Sequence, residues 1–132
     1  MDKKIRILVA EDSATDRELF QRVMRPFMKS KVSSVEYVPD GEEAMRSIKE
    51  KGYDILFLDE SMPGPTGLEI AEYIKKNHRA EKVIILTGYP DLNEKFSKMM
   101  GADEYVEKPV DLKALEVILG KYAVRENSSA KN

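Results

Sequence analysis

The chain contains no cysteine, a single histidine, and no apolar run near the roughly 20 residues of a membrane span. Without cysteine there are no disulfides and no thiolate metal sites, which agrees with a cytoplasmic, reducing setting. The lack of a long apolar run argues against a membrane association. Met1-Asp2-Lys3-Lys4 does not open a signal peptide either, because the run that follows ends at Glu11. Positive charge is not in excess: 22 Lys and Arg against 24 Asp and Glu leave a net charge of -2 and no basic footprint, so direct nucleic acid binding is not expected. Low-complexity segments and internal repeats are also missing. What is present is ordinary globular composition, 42% apolar and 35% charged. In 132 residues that suits one domain with one core.

Apolar β-rich runs begin near Ile5, Ser33, Asp54, Lys82 and Glu104, each followed by a stretch with helical periodicity. Strand and helix alternating five times predicts a parallel α/β sheet. Ile55 to Leu58 and Val83 to Leu86 are apolar without alternation, as central strands covered on both faces should be. The more polar Val32 to Val38, ending at Pro39, reads as an edge strand. Asp40 with Glu43, Thr66 with Glu69, and Asp91 with Glu94 have the spacing of helix-capping boxes, and Asp111 is placed to cap the last helix. Leu19, Val23 and Phe27 in the first helix, and Leu112, Leu115, Ile118, Leu119 and Tyr122 in the last, recur at helical spacing and are expected to be buried. Leu92, Phe96, Met99 and Met100 read as core in the same way, and Pro26 should end or kink the first helix. Residues 1–123 are expected to form the domain, and the polar residues 124–132 a tail or linker stub.

In an open parallel sheet, ligands bind beyond the carboxyl ends of the strands. The polar residues expected at that edge are Glu11 and Asp12 after the first strand, Asp59 after the third, Thr87 after the fourth and Lys108 after the fifth. Acids decorating a helix start are common. Three convergent carboxylates beside one ammonium instead leave about two negative charges, which suits a magnesium ion that also takes waters and phosphate oxygens. A carboxylate can attack phosphorus only if its repulsion toward the phosphoryl oxygens is screened, and the metal with Lys108 would do that. In this reading Asp59 is the nucleophile and forms an aspartyl phosphate. Glu11, Asp12, Asp59 and the backbone carbonyl of Ser61 hold Mg2+, and Thr87 donates its hydroxyl to a phosphoryl oxygen.

Glu11-Asp12, Asp59-Glu60-Ser61-Met62-Pro63 with Gly67, Thr87-Gly88 and Lys108-Pro109 together resemble the receiver domain of bacterial two-component response regulators, from about Lys4 to Tyr122. The resemblance implies a flavodoxin-like, doubly wound (βα)5 fold with five parallel strands in the order 2-1-3-4-5. It also implies magnesium, and phosphoryl transfer to Asp59 from a sensor histidine kinase or phosphotransfer protein. A switch between Thr87 and Tyr105 would then alter the surface of the fourth helical stretch, fifth strand and final helix for a downstream protein partner, with Lys95, Tyr105 and Glu107 on or near it. Lys108-Pro109 matches a bond that is cis in this family. The chain would be a phosphoacceptor rather than an enzyme acting on other substrates. It reads as a stand-alone receiver or as a piece of a longer regulator that has lost its output domain.

Glu60 departs from the family, which usually has an apolar residue there; side-chain alternation is expected to turn it away from the metal, into solvent. Gly64-Pro65-Thr66 adds a proline that should stiffen the loop, and Ser61 and Tyr89 stand where the family tunes phosphate loss. Asp16 and Asp54 read as surface charge and His78 as solvated. Two other functions compete. One is a pseudo-receiver that only binds proteins, though no signature residue is missing. The other is a magnesium-dependent phosphatase of the haloacid-dehalogenase kind, which would place a second Asp where Ser61 stands. A flavin-binding module fits poorly, since Glu11-Asp12 would repel its phosphate.

Overall fold

The computed structural model of the chain describes residues 5–88 and 101–122. Its strands are β1 (Ile5–Ala10), β2 (Val32–Val38), β3 (Ile55–Asp59), β4 (Lys82–Thr87) and β5 (Glu104–Glu107), and its helices are α1 (Ala14–Met24), α2 (Gly41–Glu50), α3 (Gly67–Lys76) and α4 (Leu112–Tyr122). All strand pairings are parallel, in the order β2-β1-β3-β4-β5, so β2 is an edge strand. The Asp91 cap, the stripe from Leu92 to Met100, Tyr89, Lys95 and the tail lie outside the described residues.

Side-chain alternation divides the core into two layers, one on each face of the sheet. Ile7, Val9, Ile55, Phe57, Ile84 and Leu86 pack with α1 and α4. Leu8, Ala10, Leu56, Leu58, Val83 and Ile85 pack with α2 and α3. β1, β3 and β4 are apolar at nearly every position because both faces are covered, as parallel sheets require.

Caps fix where the helices begin. Asp40 accepts from the Glu43 amide at 2.8 Å, Asp111 from Ala114 at 2.8 Å, and Thr66 and Glu69 form a complete capping box. Ser13, which the sequence reading passed over, caps α1 by accepting from the Asp16 amide. Arg25-Pro26-Phe27 follows α1 as one 3-10 turn, so the helix stops where proline removes a donor. Two stripe expectations are corrected. Leu19 is 41% exposed while Phe20 and Met24 fill the core, and Leu112 is 49% exposed while Leu115, Ile118 and Leu119 are buried.

Away from the strands' carboxyl ends, buried Glu81 accepts from Arg79 at 2.6 and 3.0 Å, and Arg79 also donates to the Ile48 carbonyl at the end of α2. Burial alone would raise the Glu81 carboxyl, but the Arg79 guanidinium prevails and holds it below the ordinary range. Asp54 is not idle surface charge, since it accepts from the Arg6 amide at 2.8 Å and ties the start of β3 to β1. His78 is exposed, in a left-handed conformation after α3.

Candidate functional site

The alternation that splits the core also sorts the polar residues at the strand ends. Glu11 and Asp59 continue the series that faces α1 and α4, whereas Glu60 and Thr87 continue the series that faces α2 and α3. Glu11, Asp59 and Thr87 are nearly fully buried, at 2%, 2% and 1% exposure, so their polar groups need partners inside the protein.

Lys108 bridges the first pair. Its Nζ lies 3.3 Å from Glu11 Oε1, 3.2 Å from Asp59 Oδ2 and 3.8 Å from Asp16 Oδ2. Burial alone would lower the ammonium, but the two carboxylates outweigh it and hold its pKa above the ordinary lysine value. Its backbone amide donates to the Thr87 carbonyl at 2.7 Å, and the Lys108–Pro109 peptide bond is cis. Asp16, expected on the surface, therefore joins the site's charge. It lies in the first turn of α1, which starts two residues after Asp12, and that closeness to the acidic pair could have signalled its place.

Glu11, Asp12 and Asp59 each present a carboxylate oxygen, and these lie within 4.8 Å of one another. Burial pushes the Glu11 carboxyl up to about 7, with Asp59 adding to the rise and the Ser13 amide and Lys108 opposing it. Ser13 donates to Glu11 Oε2 at 3.0 Å and Ser61 donates its amide to Asp59 Oδ1 at 3.2 Å, so both carboxylates are oriented from behind. They border an open cleft of about 300 Å³, whose rim includes Asp12, Ser61 and Gly88.

Gly67 lies against the backbone of Asp59. A Cβ there would lie 2.6 Å from the Asp59 carbonyl oxygen, so α3 can start this close behind Asp59 only with glycine. The preceding loop is fixed by α2: the Gly41 amide donates to Pro63 at 3.0 Å, and a Cβ at Gly41 would meet the Pro65 carbonyl at 1.8 Å. The stiffness expected of Pro65 thus has a packing partner.

Glu60 is the site's main correction. The pairing of Asp59 with Leu86 sets Glu60 beside Thr87, and the Thr87 hydroxyl donates to Glu60 Oε1 at 2.6 Å. The Tyr105 hydroxyl approaches Glu60 Oε2 at 3.4 Å, and Tyr105 pairs with Ile85, packing against the α2 and α3 layer. Alternation does turn Glu60 away from Glu11. It turns it toward the two residues named as a switch, not into solvent.

Residues 7–119 match the response regulator receiver domain family. The transcriptional regulatory protein RprY of Bacteroides fragilis is 30% identical over an alignment of 137 positions, gaps included, that covers 98% of this chain and 56% of the relative. The two-component response regulator PhoP of Pseudomonas aeruginosa is 31% identical over 117 residues, 87% of this chain and 50% of the relative. The chain thus spans about half the length of these curated relatives. A CheY-like receiver domain protein from Methanospirillum hungatei superposes with a TM-score of 0.79 at 27% identity, covering 96% of this chain and 99% of that one. Sheet order, acidic strand ends and these matches agree, and the chain belongs to the response regulator receiver domain family.

Proposed function

We propose that residues 1–123 act as a phosphoryl-accepting switch, with Asp59 as the acceptor and Lys108 as the fixed counter-charge. The observation that carries this reading is the Lys108 ammonium, 3.2 Å from Asp59 and 3.3 Å from Glu11 at the mouth of the cleft. A nucleophilic carboxylate needs such screening before an anionic phosphoryl group can approach.

The residues fit a divalent cation. Three carboxylates converge, and burial, with Asp59 alongside, raises the Glu11 carboxyl, a cost of ionisation that a divalent charge would offset. Glu11, Asp12, Asp59 and the Ser61 carbonyl would hold Mg2+, which supplies charge neutralisation for the phosphoryl oxygens. In the transfer an Asp59 oxygen bonds to phosphorus as the P–N bond of a donor phosphohistidine breaks, and the imidazole nitrogen leaves with the bonding pair. Lys108 stays paired with the carboxylate edge throughout, and Thr87 offers its hydroxyl to a phosphoryl oxygen. The donor is a sensor histidine kinase or phosphotransfer protein, and the readout is a downstream protein partner or an output domain. No helix among the described residues is long and apolar enough to cross a membrane.

The test is intact-protein mass after incubation with acetyl phosphate, with and without magnesium, on the wild type and Asp59→Asn. One magnesium-dependent phosphoryl adduct, absent from Asp59→Asn, is expected. No adduct, together with no beryllofluoride-induced NMR shift at Thr87 and Tyr105, would overturn the proposal and leave a protein-binding pseudo-receiver.

A further inference from the structure

We propose that Glu60 is a positioning residue that latches Thr87 in the resting protein, so that phosphoryl binding at Asp59 must break the Thr87–Glu60 hydrogen bond. The inference rests on the phosphoacceptor reading of Asp59. Thr87 is 1% exposed and its hydroxyl has one proton, given at 2.6 Å to Glu60 Oε1. That proton cannot serve Glu60 and a phosphoryl oxygen together. Asp59, Glu60 and Thr87 line one cleft, and Asp59 and Glu60 are successive residues whose side chains leave the β3 end in different directions, so exchange of partners requires the hydroxyl to turn.

The latch is built by strand register. Asp59 pairs with Leu86, which sets Glu60 next to Thr87, and Tyr105, paired with Ile85, brings its hydroxyl to 3.4 Å from the second Glu60 oxygen. One carboxylate thereby touches both residues whose movement would carry the signal. Its amide is anchored as well, donating to the Leu86 carbonyl at 2.8 Å, so the carboxylate is aimed by the sheet. Contacts made only in the resting state disfavour the active one, and binding that needs the active state is weakened by the same factor. A hydrogen bond to a carboxylate corresponds to a factor of about ten.

The experiment is a titration of beryllofluoride, a mimic of the bound phosphoryl group, with magnesium present, while the Thr87 methyl is followed by NMR. Wild type, Glu60→Ala and Glu60→Gln are compared, and Glu60→Ala is repeated in a Thr87→Val background. Glu60→Ala is expected to bind roughly tenfold more tightly, and its unliganded Thr87 signal to move toward the bound position. Glu60→Gln keeps a carbonyl acceptor and should stay near wild type. The gain should vanish in Thr87→Val, where no hydroxyl can be latched. Unchanged affinity and Thr87 shift in Glu60→Ala, or weaker binding, would overturn the latch. So would a Glu60→Ala gain that Glu60→Gln matches and that persists in Thr87→Val, because Glu60 would then act through charge alone. A wild type that takes the mimic while Glu60→Ala behaves identically sinks the latch only; a wild type that takes neither mimic nor phosphoryl group sinks both readings.

Discussion

Glu11 is 2% exposed, stands beside Asp59, and has its carboxyl pushed up to about 7 by burial. In the unfolded chain it returns to an ordinary value near 4.5. Below that value both states hold the proton and its contribution to stability is complete. As pH rises toward 7 the unfolded chain releases the proton while the folded protein keeps it, so stability falls through this window, by up to about 3 kcal/mol. Metal-free protein is therefore expected to be less stable to urea at pH 8 than at pH 5. Glu11→Gln should remove most of that slope, and magnesium should reduce it by favouring the ionised carboxylate. Glu36 and Glu81, whose carboxyls are held low, act at more acidic pH and do not confuse this range. Parallel curves for wild type and Glu11→Gln would place the carboxyl in the ordinary range. At this scale the sequence was most readable where charge had a single explanation. Glu11 and Asp59 close the apolar runs of β1 and β3, and Lys108 follows the fifth strand, so charges at successive strand ends imply convergence. Glu60 was only half readable: alternation gives its face, but its partner depends on β3–β4 register, which a single strand's sequence does not contain.

Elements place these residues by backbone contacts that a mutation can probe. α3 begins directly behind Asp59, where a Cβ at Gly67 would lie 2.6 Å from the Asp59 carbonyl oxygen and 3.2 Å from Ile85 Cδ1. Neither the strand backbone nor a buried isoleucine yields easily. Gly67→Ala is expected to lower stability by about 2 kcal/mol, as overpacking does, and to displace Asp59 and so slow phosphoryl uptake. Urea unfolding and the time course of the acetyl phosphate adduct check the two parts. Full stability with full uptake would show that the loop before α3 gives way. Helix starts were readable because a capping oxygen and its amide are local in sequence, as in Thr66 and Glu69. Helix faces were less so. Leu19 and Phe20 are adjacent apolar residues, and only the position of β2 decides that Phe20 turns inward to meet Tyr37 and Phe57. Leu112 is similar: it starts α4 at the sheet's rim, where the helix still has an open side.

The proposed switch joins a rigid sheet to strand ends that would move. β1 and β3 are apolar on both faces and central in the order β2-β1-β3-β4-β5, so their hydrogen bonds should open only with global unfolding. The groups that would rearrange on phosphorylation, Thr87, Glu60 and Tyr105, lie at the end of β4, just past β3 and within β5, on the side of the sheet away from β2. A central sheet that does not deform lets a change at Asp59 pass sideways along strand ends without disturbing either core layer. Hydrogen exchange with and without beryllofluoride tests this division. Amides of β1 and of residues 55–58 are expected to keep their protection unchanged, while those of residues 86–88 and 104–108 change. Altered protection in β1 or β2 would mean that the sheet itself responds, and the switch would then have to be sought in the packing of α1 and α4 instead of in the hydroxyl of Thr87.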